Sequence, residues 1–200
     1  IIFASEIKSI LQSGIKKPPI STKGISHFLS FGFVPLPYTI YEGIYHVMPG
    51  EYISFSKKEL YKEKWWDLAK IEPQRERKEE EWIDEFNFLI KDSTRLRLRS
   101  DVPFGAFLSG GVDSSTIVGL MSEINDSPIK TFSIGFSNEK YDETEFAIYA
   151  SKRFRTEHEY KIVEHDMLDL WPTTIYFCDQ PHGDISFLPT FKVSEIAKKK

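Results

Sequence analysis

Apolar positions in the first 66 residues come in short groups separated by turn chemistry. Ile7, Ile10 and Leu11 carry helical spacing, with Phe3 to Glu6 reading as a strand end before them and Lys16-Lys17-Pro18-Pro19 closing the segment. Ser21 or Thr22 then caps a short helix predicted to bury Ile25, Phe28 and Leu29. Gly32 to Pro37 is extended and proline-punctuated, and Pro49-Gly50 makes a turn. Strands are predicted at Glu51 to Phe55 and Leu60 to Trp66 around Ser56-Lys57-Lys58. The segment is α+β, with Trp65 and Trp66 expected to pack a domain junction.

Residues 67–80 set Pro73 among charged side chains and read as a linker. Beyond it Trp82, Ile83, Phe86, Leu89, Ile90 and Ser93 recur at three-and-four spacing. Acidic residues open this amphipathic helix, and Arg95, Arg97 and Arg99 close it, matching the helix dipole. From Val102 the chain alternates: strand Phe104 to Leu108, helix Ser115 to Glu123, strand Thr131 to Phe136, helix Asp142 to Phe154, strand Thr156 to Val163. A further helix starts at Asp166 and is bent or interrupted at Pro172. The pattern from about residue 80 predicts an α/β parallel sheet with flanking helices, whose ligands gather at the carboxyl ends of strands. Chemistry is therefore expected at Leu108, at Phe136 and beyond Val163.

Composition adds exclusions. Two hundred residues, 40% hydrophobic and 28% charged, describe a globular chain. Residues 1–66 carry 8 basic against 5 acidic side chains and the remainder 18 against 25, so no cationic surface for nucleic acid is expected. The one cysteine, Cys178, excludes an intrachain disulfide, and no apolar run nears the roughly 20 residues of a membrane span. A cytoplasmic location follows as the expectation. Ile1-Ile2-Phe3-Ala4 offers neither an initiator Met nor a signal sequence, so the chain reads as part of a longer one.

The densest chemistry lies at Ser109-Gly110-Gly111-Val112-Asp113-Ser114, between a strand end and a helix start. Glycines let the backbone turn tightly and bring N–H groups to an anion, and the helix start adds free donors and a positive dipole end. A phosphate suits that place. Ser109, Ser114 and Ser115 add hydroxyl donors, and Asp113, which repels phosphate, makes sense as a ligand to Mg²⁺ bridging phosphates. With no Lys or Arg between Asp101 and Lys130 and no G-x-G-x-x-G spacing, this is neither a Walker loop nor a dinucleotide fingerprint.

The hexapeptide instead resembles the pyrophosphate-binding loop of ATP pyrophosphatases. Asp101 to Leu108, Thr131 to Phe136 and Tyr141-Asp142-Glu143 resemble the synthetase domain of glutamine-dependent asparagine synthetases. Phe3-Ala4-Ser5-Glu6-Ile7-Lys8, Phe31 to Pro35, Tyr41 to Ile44 and Met48 to Tyr52 resemble the end of the class II amidotransferase domain that precedes it. The resemblance implies residues 1–66 as the end of an N-terminal-nucleophile amidotransferase domain and residues 81–200 as the first half of an adenine nucleotide alpha hydrolase-like (PP-loop) synthetase domain. It implies ATP and Mg²⁺, with aspartate activated as β-aspartyl-AMP, pyrophosphate released, and ammonia supplied from glutamine; it admits a homodimer. Leu108 and Ile134 would meet the adenosine part, Ser109 to Ser114 the phosphates and Asp113 the metal, with Ser115 and Gly135 also among the ATP-binding positions. Asp179, Asp184 and Ser186 would line the substrate pocket. The family's glutaminase Cys and second acidic loop have no counterpart in these 200 residues, so the segment alone is expected to complete neither reaction.

Rival readings stay open. One is a related PP-loop amidotransferase or β-lactam synthetase-like ligase acting on another carboxylate; the other is a nucleotide-binding module without catalysis. Asp184 and Ser186 are also good helix caps, and Cys178 reads as a buried inert thiol. His158 and His165 read as structural or solvated rather than as metal ligands.

Overall fold

The structure is a computed structural model that describes all residues except 58, 74, 75, 139, 141 and 164–166. The chain divides into two compact units, residues 1–73 with 170–185, and residues 74–169 with 186–200.

In the first unit, α1 (Ile7–Leu11) and α2 (Thr22–Phe31) are followed by an antiparallel hairpin of β1 (Glu51–Ser56) and β2 (Glu59–Lys64). Ser21 caps α2 through Gly24 N–H at 3.1 Å, and Gly32, at φ +77°, ends it. The buried stripe of α2 differs from the predicted one. Gly24 faces the Thr39–Ile40 backbone, where a Cβ would lie 2.8 Å from the Thr39 carbonyl oxygen. Ile25 and Leu29 stand exposed, because the helix approaches through its smallest residue. No strand forms at residues 3–6, where Phe3 is exposed. The second strand stops at Lys64, since Trp65 and Trp66 turn their N–H groups onto the Gly50 carbonyl; both tryptophans are exposed.

The second unit opens with α3 (Glu79–Arg97), where Glu81 reaches back to Lys78 N–H at 3.0 Å. The predicted apolar face of this helix exists, but Trp82, Ile83, Phe86 and Leu89 are all exposed. Then come β3 (Gly105–Phe107), α4 (Val112–Ile124), β4 (Lys130–Phe136), α5 (Thr144–Phe154) and β5 (Glu157–Val163). The strands form a parallel sheet in the order β3-β4-β5, with Gly105 opposite Lys130 and Lys130 opposite Glu157. Leu108, Val118, Ala147 and Ala150 form a core with α4 and α5. Phe132 forms a second core with Val193 and Ile196 of α7 (Phe187–Ala197). Period-two alternation along β4 divides its residues between the helices on its two faces.

One helix departs from expectation in both start and partner. α6 (Trp171–Cys178) carries Pro172 in its first turn, where a missing N–H costs nothing, so the proline opens the helix rather than bending it. Asp166 lies outside the described residues. α6 and the loop after it belong to the first unit, not to the sheet-bearing one.

Candidate functional site

The carboxyl end of β3 delivers the loop. Leu108 N–H extends the parallel register to the Phe132 carbonyl at 2.9 Å, and its side chain is 1% exposed, so what it offers a ligand is backbone. The chain then turns at Gly110, φ +83°, a conformation that L side chains rarely adopt. A Cβ there would lie 2.5 Å from Ala147 N and overlap the Phe146 backbone. Gly110 is therefore required twice, by φ and by the approach of α5. Gly111 is different: its φ is −67° and the nearest atom to a Cβ would be Ser109 Oγ at 3.4 Å.

Gly111 is the N-cap of α4, which begins at Val112, somewhat earlier than the sequence predicts. Its carbonyl accepts Ser115 N–H at 3.0 Å, leaving the N–H groups of residues 112–114 as first-turn donors. Hydroxyls knit the loop. Ser109 Oγ and Ser114 Oγ lie 3.0 Å apart, Gly111 N–H reaches Ser109 Oγ at 3.3 Å, and Ser114 Oγ donates to the Gly111 carbonyl at 3.2 Å. Val112 and Asp113 project at the exposed rim. The result is a small cradle of N–H and O–H donors at a helix start, with one carboxylate beside it.

The end of β4 carries a second constellation. Gly135 is buried, and a Cβ on it would come 2.5 Å from Asp142 Oδ1 and 2.6 Å from Ile162 Cδ1. Asp142 Oδ1 accepts Thr144 Oγ1–H at 2.5 Å, Phe136 N–H at 3.2 Å and Thr144 N–H at 3.3 Å. The Thr144 hydroxyl bond holds this carboxyl below its usual value. Asp142 thus ties the β4 end to the start of α5, a role sequence reading did not assign although Asp-x-Thr before a helix is the signal for it. Ile134 is half-buried against the Phe132 core.

Of the substrate candidates, Asp179 and Asp184 lie in the first unit and Ser186 in the second. Asp179 receives Ile7 N–H on Oδ2 at 2.7 Å. Ser186 stands at the start of α7, its carbonyl accepting Thr190 N–H at 3.1 Å. Cys178 is half-buried, and burial pushes its thiol up, away from the thiolate a nucleophile needs. His158 lies 3.0 Å from Thr131 Oγ1 and 3.2 Å from Ser133 Oγ, a structural setting; His165 lies outside the described residues. Among the described residues no helix is long and apolar enough to cross a membrane.

Comparison with known proteins supplies the family. The asparagine synthase family model matches residues 85–200, and the glutamine amidotransferase domain model matches residues 1–66. A Methanocaldococcus jannaschii protein, provisionally named glutamine-hydrolyzing asparagine synthetase 2, is 41% identical over 204 residues, covering 99% of this chain and 39% of its own. Glutamine-hydrolyzing asparagine synthetase 1 of Bacillus subtilis is 32% identical over 202 residues, covering 100% of this chain and 31% of its own. Amidase chyE of Penicillium rubens is 27% identical over 135 residues, 59% of this chain and 20% of its own. The chain thus spans two-fifths or less of the length of these curated relatives. With the parallel sheet and its loop in place, and with the asparagine synthase model covering more than half of the residues, the chain belongs to the asparagine synthase family.

Proposed function

We propose that this chain contributes the nucleotide half of an ATP-dependent, glutamine-using asparagine synthesis. Ser109 to Ser115 would cradle the β and γ phosphates and stabilise charge on the departing pyrophosphate, which is the main source of rate enhancement in such transfers. The observation that carries the reading is the turn at Gly110, required by its positive φ and by the close approach of α5, which sets the first-turn N–H donors of α4 beside the Ser109 and Ser114 hydroxyls. The Ser109 and Ser114 hydroxyls, bonded to one another and to Gly111, would turn about their side chains to donate to a phosphate, while the N–H groups of residues 112–114 already stand as donors. The donor set fits a polyphosphate, and one carboxylate at its rim fits a divalent ion shared with that polyphosphate. Asp113 would hold Mg²⁺, whose contribution is to neutralise phosphate charge.

Leu108, Ile134 and Gly135, at neighbouring strand ends, would set the adenosine part against the sheet edge. With the α phosphorus exposed, attack by an aspartate carboxylate oxygen expels pyrophosphate and leaves β-aspartyl-AMP; ammonia from glutamine then displaces AMP. Ser186, in the sheet-bearing unit with the loop, is the proposed contributor to the acceptor pocket. Residues 1–66, matched by the amidotransferase model, would belong to the domain that releases ammonia, with a nucleophile outside this segment.

The test is product analysis with the full-length protein. ATP, Mg²⁺, ammonium and aspartate should give equal amounts of AMP, pyrophosphate and asparagine. Release of ADP and phosphate would rule out the loop chemistry, and AMP formation only with another carboxylate would move the acceptor.

A further inference from the structure

Residues 170–185 fall inside the asparagine synthase match, yet they fold with the unit that carries the amidotransferase match. Polar ties hold them there. Asp179, left-handed at φ 63° where α6 ends, takes Ile7 N–H on Oδ2 at 2.7 Å. On Oδ1 it takes Lys8 N–H at 3.3 Å and the Lys8 ammonium at 3.0 Å. These amides open α1, a five-residue helix whose own Glu6 makes no side-chain cap. Asp179 therefore caps a helix 172 residues earlier in the chain.

The pair is well shielded, with side chains 16% and 14% exposed, and Lys8 also lies 5.4 Å over the Tyr176 ring. Next in sequence, Gln180 Oε1 accepts Ile40 N–H at 2.8 Å while its Nε2 lies 3.1 Å from His46 Nε2. Gly183 N–H then donates to the Gly32 carbonyl at 2.7 Å, and a Cβ on Gly183 would come 3.0 Å from Gly32 Cα. Three donors already occupy the two oxygens of Asp179, which leaves little of the carboxylate for a ligand.

We propose that Asp179 and Gln180 are positioning residues that latch the 170–185 strap onto the first unit. The strap leaves the sheet-bearing unit after Asp169 and returns at Ser186, only three residues beyond Gly183, a reach of about 10 Å at full extension. The strap thus ties residues within the asparagine synthase match to Ile7, Lys8, Ile40 and Gly32 within the amidotransferase match. The inference rests on the functional reading above: the latch makes glutamine-derived nitrogen usable at the synthetase site, without itself touching substrate.

The test compares Asp179→Ala with the wild-type full-length protein by amide hydrogen exchange and by AMP formation driven separately by glutamine and by ammonium. The expected result is exchange at Ile7 and Lys8 faster by about tenfold or more, a glutamine-driven rate down by about tenfold, and an ammonium-driven rate and aspartate KM within about twofold. Asp179→Asn, which keeps an acceptor oxygen without the charge, should recover part of both losses and serves if Asp179→Ala does not fold. A raised aspartate KM with unchanged exchange would make Asp179 a substrate contact and overturn the latch, as would an unchanged ratio of the two rates. If the wild type forms no AMP from either nitrogen source, the functional reading fails, while the exchange comparison still decides whether the latch exists.

Discussion

In the sheet-bearing unit the largest fully buried side chains are Leu108, just past β3, Val118 of α4, Ile129, just before β4, and Thr131 of β4, all on one strand-helix-strand run. In the first unit the buried apolar residues, Ile7, Val34, Ile40 and Ile44, keep 6 to 9% of their surface. Thr39, 2% exposed, is buried with them, and its hydroxyl donates to the Ile44 carbonyl at 2.9 Å and accepts Tyr41 N–H at 3.1 Å. Here the decisive contacts are polar and distant in sequence, such as Gln180 to Ile40 and Asp179 to Ile7. One unit is held by periodic apolar packing and the other by hydrogen-bonded ties, and the two should respond differently to substitution.

The largest expected effect tests the sheet unit at its loop. Gly110→Ala forces a left-handed alanine against the α5 backbone and should cost about 3 kcal/mol or more. Gly111→Ala, at an ordinary φ with contact only at 3.4 Å, should cost under about 1 kcal/mol. Urea unfolding of both variants measures this. Equal losses would mean that the loop tolerates displacement and that the two glycines are not distinct.

The same contrast explains what was legible. The strand, glycine turn, hydroxyls and helix of residues 105–124 are contiguous, so local chemistry and period fixed both the parallel sheet and the candidate phosphate cradle. Asp142 was legible in principle, because it caps a helix two residues away. The capture of α6 by the first unit was not, since its anchors lie 134 to 172 residues from their partners and leave no local pattern. The α3 face meets a related limit: spacing shows that Trp82, Ile83, Phe86 and Leu89 share a face, but not whether anything covers it.

A second prediction separates chemistry from folding at the cradle. Asp113→Ala removes an exposed carboxylate that makes no tie within the loop, so the urea midpoint should move little. Mg²⁺-dependent pyrophosphate formation by the full-length protein should fall about a hundredfold or more. An unchanged rate would remove Asp113 from the metal role while leaving the phosphate cradle standing.

For the first unit, Thr39→Val keeps volume and deletes the hydroxyl, leaving the Ile44 carbonyl and Tyr41 N–H without that partner. Loss of about 1–2 kcal/mol is expected. Hydrogen exchange should quicken at residues 39–46, with β4 amides unchanged. A shift of both units together would show that they unfold as one and that the distinction between them does not extend to stability.

The smallest effect concerns the polar cluster between β4 and β5 of the sheet unit. His158 faces Thr131 and Ser133 of β4 and stacks on Tyr160 at 6.1 Å, and burial lowers its pKa from the ordinary 6.5. The folded sheet therefore favours neutral imidazole, and the unfolded chain binds the proton first as the pH falls. Stability from this group is complete above about pH 6.5 and is lost as the pH falls through the lower folded value. Asp142, held below its ordinary 3.8, adds no decline in that window, because it is ionised in both states there. The urea midpoint of the sheet unit should drop modestly between pH 7 and pH 5, and His158→Gln should flatten that slope while lowering the value at pH 7 through altered bonds to Thr131 and Ser133. An equal slope in the variant would place the imidazole in water, making the cluster a surface feature and the sheet unit more uniformly apolar in its support than its hydrogen bonds indicate.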